Sequence, residues 1–316
     1  MLGLIEWLFS ILFKKRPAAA RIDLTWGDPV APSIRAALAE GNFAAAEHQL
    51  AQAPDQQTLD HWIAACSDWD GRPEWLDRWV SQRSESALAW LMRGAHSTHW
   101  AWQARSSRCA DQVSDENFRE FFRRLALAES DLKQAHRLNP ASAVPAALMI
   151  RVLYGQQAGE DHTRATFEQA TSLAPSLLSA HRLMLNSLCA KWGGSDEAMF
   201  AFARQAAPTA PALQVLIPLA HIEAYLFMDS SVRSSYASQP QIRAEVEQAF
   251  LRFRECGDRT ALRQGANAFA LQFILAQDAN RAAQAFAMCE GFVAEIPWGY
   301  FGDALANFTK YRARVM

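Results

Sequence analysis

Six residues between positions 90 and 105 have side chains that could carry chemistry: Trp90, Arg93, His96, Trp100, Trp102 and Arg105, all within ALAWLMRGAHSTHWAWQAR. A guanidinium against an indole face makes a cation–π pair, and two arginines among tryptophans can clamp a carboxylate. These six are the candidate partner-binding or ligand-binding residues. A structural reading is also open, in which the tryptophans are core and the arginine stems lie along them as cover. His96 and His99 are three apart with Cys109 nearby, but the set lacks the fixed spacing of a zinc site. His221 and Glu223 point to different faces of one helix and make no dyad. His221 and Tyr225 share a face and read as a hydrogen-bonded core pair. Asp68, Asp70 and Glu74 gather at a turn, where carboxylates cap and solvate. Arg119, Arg123, Arg124 and Lys133 are interleaved with Glu120, Glu129 and Asp131, which makes an ion-paired surface and not a nucleic-acid face. G-x-G-x-x-G, G-x4-G-K-[ST], G-x-S-x-G and H-E-x-x-H are absent from the sequence. No catalytic residue, metal or cofactor is assigned.

The elements that must position these side chains are helices. Between about Asn117 and Pro208 one phrase occurs three times: Ala128-x3-Leu132-x2-Ala135-x4-Pro140, Thr163-x3-Phe167-x2-Ala170-x4-Pro175 and Asp196-x3-Phe200-x2-Ala203-x4-Pro208. The prolines fall 35 and 33 residues apart, the period of a tetratricopeptide (TPR) repeat. In each phrase the large apolar residue fills a seam, the alanine lets a neighbouring helix approach, and the proline stops the helix.

Upstream, 32–54 reads as a helical hairpin turning at Glu40-Gly41-Asn42, followed by helices over 58–67 and 73–84. The 88–105 block reads as two helical segments. Lys191-Trp192-Gly193-Gly194-Ser195 reads as a turn in which glycine ends one helix and Ser195 caps the next. Pro218 predicts a kink, 229–240 a polar loop, and the helices over 212–316 a C-terminal cap on the stack. The fold class is therefore all-α: an α-solenoid of TPR-like helical hairpins over 21–316, clearest over 117–208, preceded by a separate amphipathic helix and linker over 1–20.

That N-terminal helix, LGLIEWLFSILF followed by Lys14-Lys15-Arg16, is too short to span a bilayer. Its positive charge also lies on the wrong side for a secretory signal. Leu4, Trp7, Leu8, Ile11 and Leu12 form its greasy face, and Lys14, Lys15 and Arg16 suit anionic headgroups. A membrane surface, a partner and the protein's own core are all open as its contact. Net charge is −2 with pI near 6.5, which excludes an overall basic surface for nucleic acid. Five scattered cysteines with no C-x-x-C pair fit a reducing cytoplasm.

The repeat phrases, the segment Trp100-Ala-Trp102-Gln-Ala-Arg105 and the Lys191–Ser195 turn together resemble a bacterial domain-of-unknown-function family, catalogued as forty thirty-four, over roughly Leu88 to Phe227. Where that family places a glycine after the arginine, this chain has Ser106. The resemblance implies a TPR-like fold and carries over no catalytic residues.

The expectation is a non-enzymatic protein–protein interaction module in a bacterial cytoplasm, peripheral on the inner membrane if the N-terminal helix docks there. A specific form is an immunity or adaptor protein whose partner is a toxin or secretion component. The alternatives are a small-ligand-binding protein or enzyme using the tryptophan–arginine pocket, and a membrane-associated scaffold.

Overall fold

A computed structural model describes residues 18–105 and 114–316, so the expected helix over Leu2–Phe13 lies outside the described residues. Among the described residues there are seventeen α-helices and no strand, and the chain is an all-α helical-repeat fold. No described helix is long and apolar enough to cross a membrane.

The first six helices form three hairpins: α1 (Ala31–Ala39) with α2 (Phe43–Leu50), α3 (Gln56–Ser67) with α4 (Trp75–Gln82), and α5 (Ala87–Arg105) with α6 (Asp115–Leu138). Their starts are fixed by short polar side chains. Asn42 accepts from the Ala45 amide, Asp55 from Thr58 and Ser114 from Asn117, each satisfying a donor that the helix itself cannot. Their packing follows apolar spacing. In α4, Trp75, Leu76, Trp79 and Val80 fall on one stripe and all are buried, each contributing roughly 1.5–3 kcal/mol.

The repeats follow as α7 (Val144–Gly155) with α8 (Glu160–Leu173), and α9 (Leu178–Ser187) with α10 (Asp196–Ala206). Pro140, Pro175 and Pro208 each stand two residues past a helix end, and Ala135, Ala170 and Ala203 are fully buried in the seams. Ser195 caps α10 after left-handed Gly193, as the turn sequence predicts.

Beyond them lie α11 (Leu216–Phe227), α12 (Ser230–Tyr236), α13 (Pro240–Phe253), α14 (Arg259–Leu275), α15 (Ala279–Met288), α16 (Glu295–Trp298) and α17 (Ala304–Val315).

Three expectations are corrected. Residues 87–105 are one helix, not two segments. Nothing in that block breaks a helix except Gly94, and Gly94 is where Leu132 packs so closely that a Cβ would lie 2.9 Å from its side chain. Pro218 sits in the first turn of α11, where its missing N–H has no partner to lose, so it does not kink the helix. The serine-rich 229–240 stretch contains α12.

The stack curls until its ends meet. At the start of α3, Gln56 accepts from the Ala143 amide (2.8 Å) and Gln57 from the Leu178 amide (3.0 Å), so one helix caps the starts of both α7 and α9. The segment before α1 then lies on the C-terminal helices. Arg21 and Phe292 form a parallel β-bridge, closed by Arg21 N–H to Gly291 O and Val293 N–H to Arg21 O, each 2.9 Å. Arg263 donates to the Trp26 carbonyl and to Glu290, and its guanidinium lies 4.5 Å from the Phe292 ring centre. Pro17-Ala-Ala-Ala, read as a linker, thus leads at Ala18 into a docked segment, where Arg312 donates to the Ala18 carbonyl at 2.8 Å.

Candidate functional site on the inner face

Three aromatic side chains from distant parts of the sequence converge inside the curl. Trp102 is on the last turn of α5, Tyr154 on the last turn of α7, and Trp192 in the turn between α9 and α10. Their ring centres are 5.1–5.4 Å from one another and from Phe121 where they touch: Trp102–Phe121 5.1 Å, Trp102–Tyr154 5.4 Å, Trp102–Trp192 5.2 Å and Tyr154–Trp192 5.2 Å. Arg105 lies over Trp192 at 4.9 Å and Arg151 over Trp102 at 5.1 Å. Both indole N–H groups, on Trp102 and Trp192, are buried without an acceptor among the described residues. A buried donor left unpaired costs about 1–3 kcal/mol, so the two indoles leave hydrogen-bond donors unmet here.

A polar stripe borders the niche along α9. Ser179, Arg182 and Asn186, spaced three and four apart, line one face of that helix. Asn186 donates to the Tyr154 hydroxyl at 3.1 Å. Arg182 is half-buried and has no hydrogen-bond partner among the described residues. Burial lowers its pKa, while Tyr300 and Asp60 pull it back up. Opposite it, burial pushes the Asp60 carboxyl up to about 6 despite the Ser179 hydroxyl and the Arg182 charge. Nearby, Lys191 pairs with Glu223 at 2.7 Å and Tyr300 donates to the same carboxylate. Burial and Glu223 together raise the Tyr300 pKa strongly. Cys189 is no nucleophile: burial raises its thiol to about 12.

The six residues singled out in the sequence do not form one pocket, because they are strung along sixteen residues of one nineteen-residue helix and point to different neighbours. Arg93 is committed to structure, with both sides of its fork on Asp131 (2.8 Å each) and a third nitrogen on Asp77 (3.0 Å). Trp90 lies under that guanidinium and donates to the Ser84 carbonyl. His96 is fully buried, bonds the Ser67 carbonyl through Nδ1 and faces Trp100, and burial lowers its pKa. Trp100 is covered by Arg124, whose guanidinium is 3.6 Å from the ring centre. Only Trp102 and Arg105 reach the inner niche.

His99 pairs with Asp68 at 2.7 Å, and no cluster of three metal-ligating side chains exists among the described residues. His221 does not bond Tyr225. It bonds the Tyr236 hydroxyl (2.8 Å) and Glu245 (3.1 Å), because α12 and α13 fold across it. Leu4, Trp7, Leu8, Ile11, Leu12, Lys14, Lys15 and Arg16 lie outside the described residues.

Arg151, Tyr154, Arg182, Asp60 and Tyr300 escaped the sequence reading. The polar stripe on α9 was the available signal for Arg182; no local pattern marks Tyr300.

Comparisons with models of protein families, with curated proteins and with solved structures found no match to this chain.

Proposed function

We propose that the chain is a non-enzymatic binding module whose inner niche receives an acceptor-rich, anionic group of a protein partner. The observation that carries this reading is the pair of buried indole N–H groups, on Trp102 and Trp192, that lack acceptors beside the guanidiniums of Arg105 and Arg151. A carboxylate or phosphate entering there brings the missing acceptors, and cation–π contacts hold the arginines in place. The finer reading is an immunity or adaptor protein for a bacterial toxin or secretion component. It rests on the family resemblance over Leu88 to Phe227; the cytoplasmic setting rests on the scattered cysteines, and a place at the inner membrane on the N-terminal stretch Leu2–Phe13.

The test is affinity capture from native cells with the intact chain and with an Arg182→Met, Trp192→Phe double variant of unchanged helicity. A stoichiometric partner is expected with the first and not with the second, and equal capture by both refutes the niche. For the immunity form, a strain lacking the gene must poison itself. Arg182, half-buried and without a hydrogen-bond partner among the described residues, favours a second reading, a small anionic ligand, which would raise the melting temperature of the isolated protein in a screen of carboxylates and phosphates.

A further inference from the structure

Six cations gather where the described chain begins. The carbonyl of Ala18, the first described residue, accepts from the Arg312 guanidinium of α17 at 2.8 Å. Lys14, Lys15 and Arg16 stand two to four positions before it in the sequence. At no more than about 3.6 Å per residue, their backbone must lie within roughly 14 Å of Ala18. Lys310 and Arg314, four apart on α17, share one face and flank one ring, 5.5 and 5.3 Å from the Tyr311 centre.

The cations of α17 have no counter-charge of their own. Among the described residues none of Lys310, Arg312 and Arg314 has a carboxylate partner. Asp303 caps the Ala306 amide at 2.7 Å, and Glu290 is taken by Arg259 and Arg263. On α6 and α8, by contrast, Arg123, Lys133 and Arg164 each pair with a glutamate one turn away. A face that leaves its cations unpaired attracts an anionic partner.

What precedes Lys14 decides which anion. Leu2–Phe13 is apolar but for Gly3, Glu6 and Ser10, which suits the acyl boundary of a bilayer and not the phosphates of a nucleic acid. Tyr311, half-buried between two cations, has the amphipathic ring that sits at headgroup level. A cluster of about four to eight Lys and Arg beside an apolar segment is the form in which proteins meet anionic lipid.

We infer that Lys310, Tyr311 and Arg314 of α17 join Lys14, Lys15 and Arg16 in one anionic-lipid surface, so that the folded domain itself lies against the membrane. This rests on the membrane reading of Leu2–Phe13 given above and adds a folded face to it. It is independent of the inner niche.

The test is vesicle sedimentation of the full chain. Vesicles containing phosphatidylglycerol should bind it more tightly than vesicles of phosphatidylcholine alone, and high salt should remove the difference. Lys310→Gln with Arg314→Gln should weaken binding to the anionic vesicles about 25-fold, a factor of about five for each cation removed. Arg119→Gln with Arg137→Gln, the same change of charge on α6, should leave binding unaltered. Should the α17 variant not fold, the unaltered chain gives the answer: on anionic vesicles Lys310 should be shielded from amine acetylation while Lys133 of α6 reacts as before. Unchanged binding by the α17 variant, with loss in a Lys14→Gln, Lys15→Gln, Arg16→Gln variant, would keep the N-terminal reading and overturn the α17 face. An equal loss in the α6 variant, an unshielded Lys310, equal binding to both vesicles, or binding to duplex DNA alone would also overturn it. No binding to either vesicle would overturn both readings.

Discussion

Asp60 offers a quantitative check on the inner face. Its carboxyl is 7% exposed, and its pKa in the folded chain is raised from 3.8 to about 6. Burial is the cause, and the Ser179 hydroxyl and the Arg182 charge only partly offset it. A group whose folded pKa is raised binds its proton more tightly when folded, so stability is lost as pH climbs through about 4 to 6. At about 1.4 kcal/mol per tenfold change in proton affinity, ionised Asp60 costs the folded state about 3 kcal/mol at neutral pH. Asp60→Asn removes that cost but takes a counter-charge from Arg182. The net expectation is a gain of about 1–2 kcal/mol at pH 7.5. By pH 4.5 the native carboxyl has recovered roughly 2 kcal/mol, and the advantage should be gone. Urea unfolding of both proteins at the two pH values measures this directly. A variant less stable than the parent at pH 7.5, or a difference independent of pH, would refute the burial argument and make Asp60 and Arg182 a net stabilising pair.

Two further predictions concern the scaffold. Arg93→Ala strands Asp131, whose side chain is 6% exposed, and should cost about 3–5 kcal/mol in chemical unfolding. An Arg93→Met, Asp131→Leu pair should recover most of that loss. Gly291 has φ +81°, and a Cβ there would lie 2.5 Å from the Ala19 carbonyl oxygen. Gly291→Ala should therefore lift the N-terminal segment, costing about 1–3 kcal/mol. In hydrogen exchange the Arg21 and Val293 amides should lose protection while α7 and α8 keep theirs.

The parts of the fold legible in the sequence are those fixed by residues close together along it. Ala135, Ala170 and Ala203 with their trailing prolines mark three seams, and Gly193 with Ser195 marks a turn, because each signal is read within one or two helical turns. The site was only partly visible. Trp102 and Arg105 announce themselves by composition, but their neighbours Tyr154 and Trp192 arrive through the curvature of the stack, which no local spacing encodes. The pairing of His221 failed for the same reason. Helical periodicity offered Tyr225, while Tyr236 and Glu245 come from helices that fold back over it. Closure was the least legible feature, since its bridge uses backbone amides and carbonyls at Arg21, Gly291 and Val293 that any sequence supplies, and its side-chain contacts, such as Arg263 to Trp26 and Arg312 to Ala18, join residues hundreds of positions apart.

The bridge between Arg21 and Phe292 also sets a schedule for biosynthesis. Phe292 is made 271 positions after Arg21, a delay of about 15–50 s at ribosomal rates of 5–20 residues per second. Through that interval the first hairpins can assemble, but the segment at 18–28 has no surface to dock on. Docking of the 18–28 segment must therefore wait until the helices around Phe292 have been made.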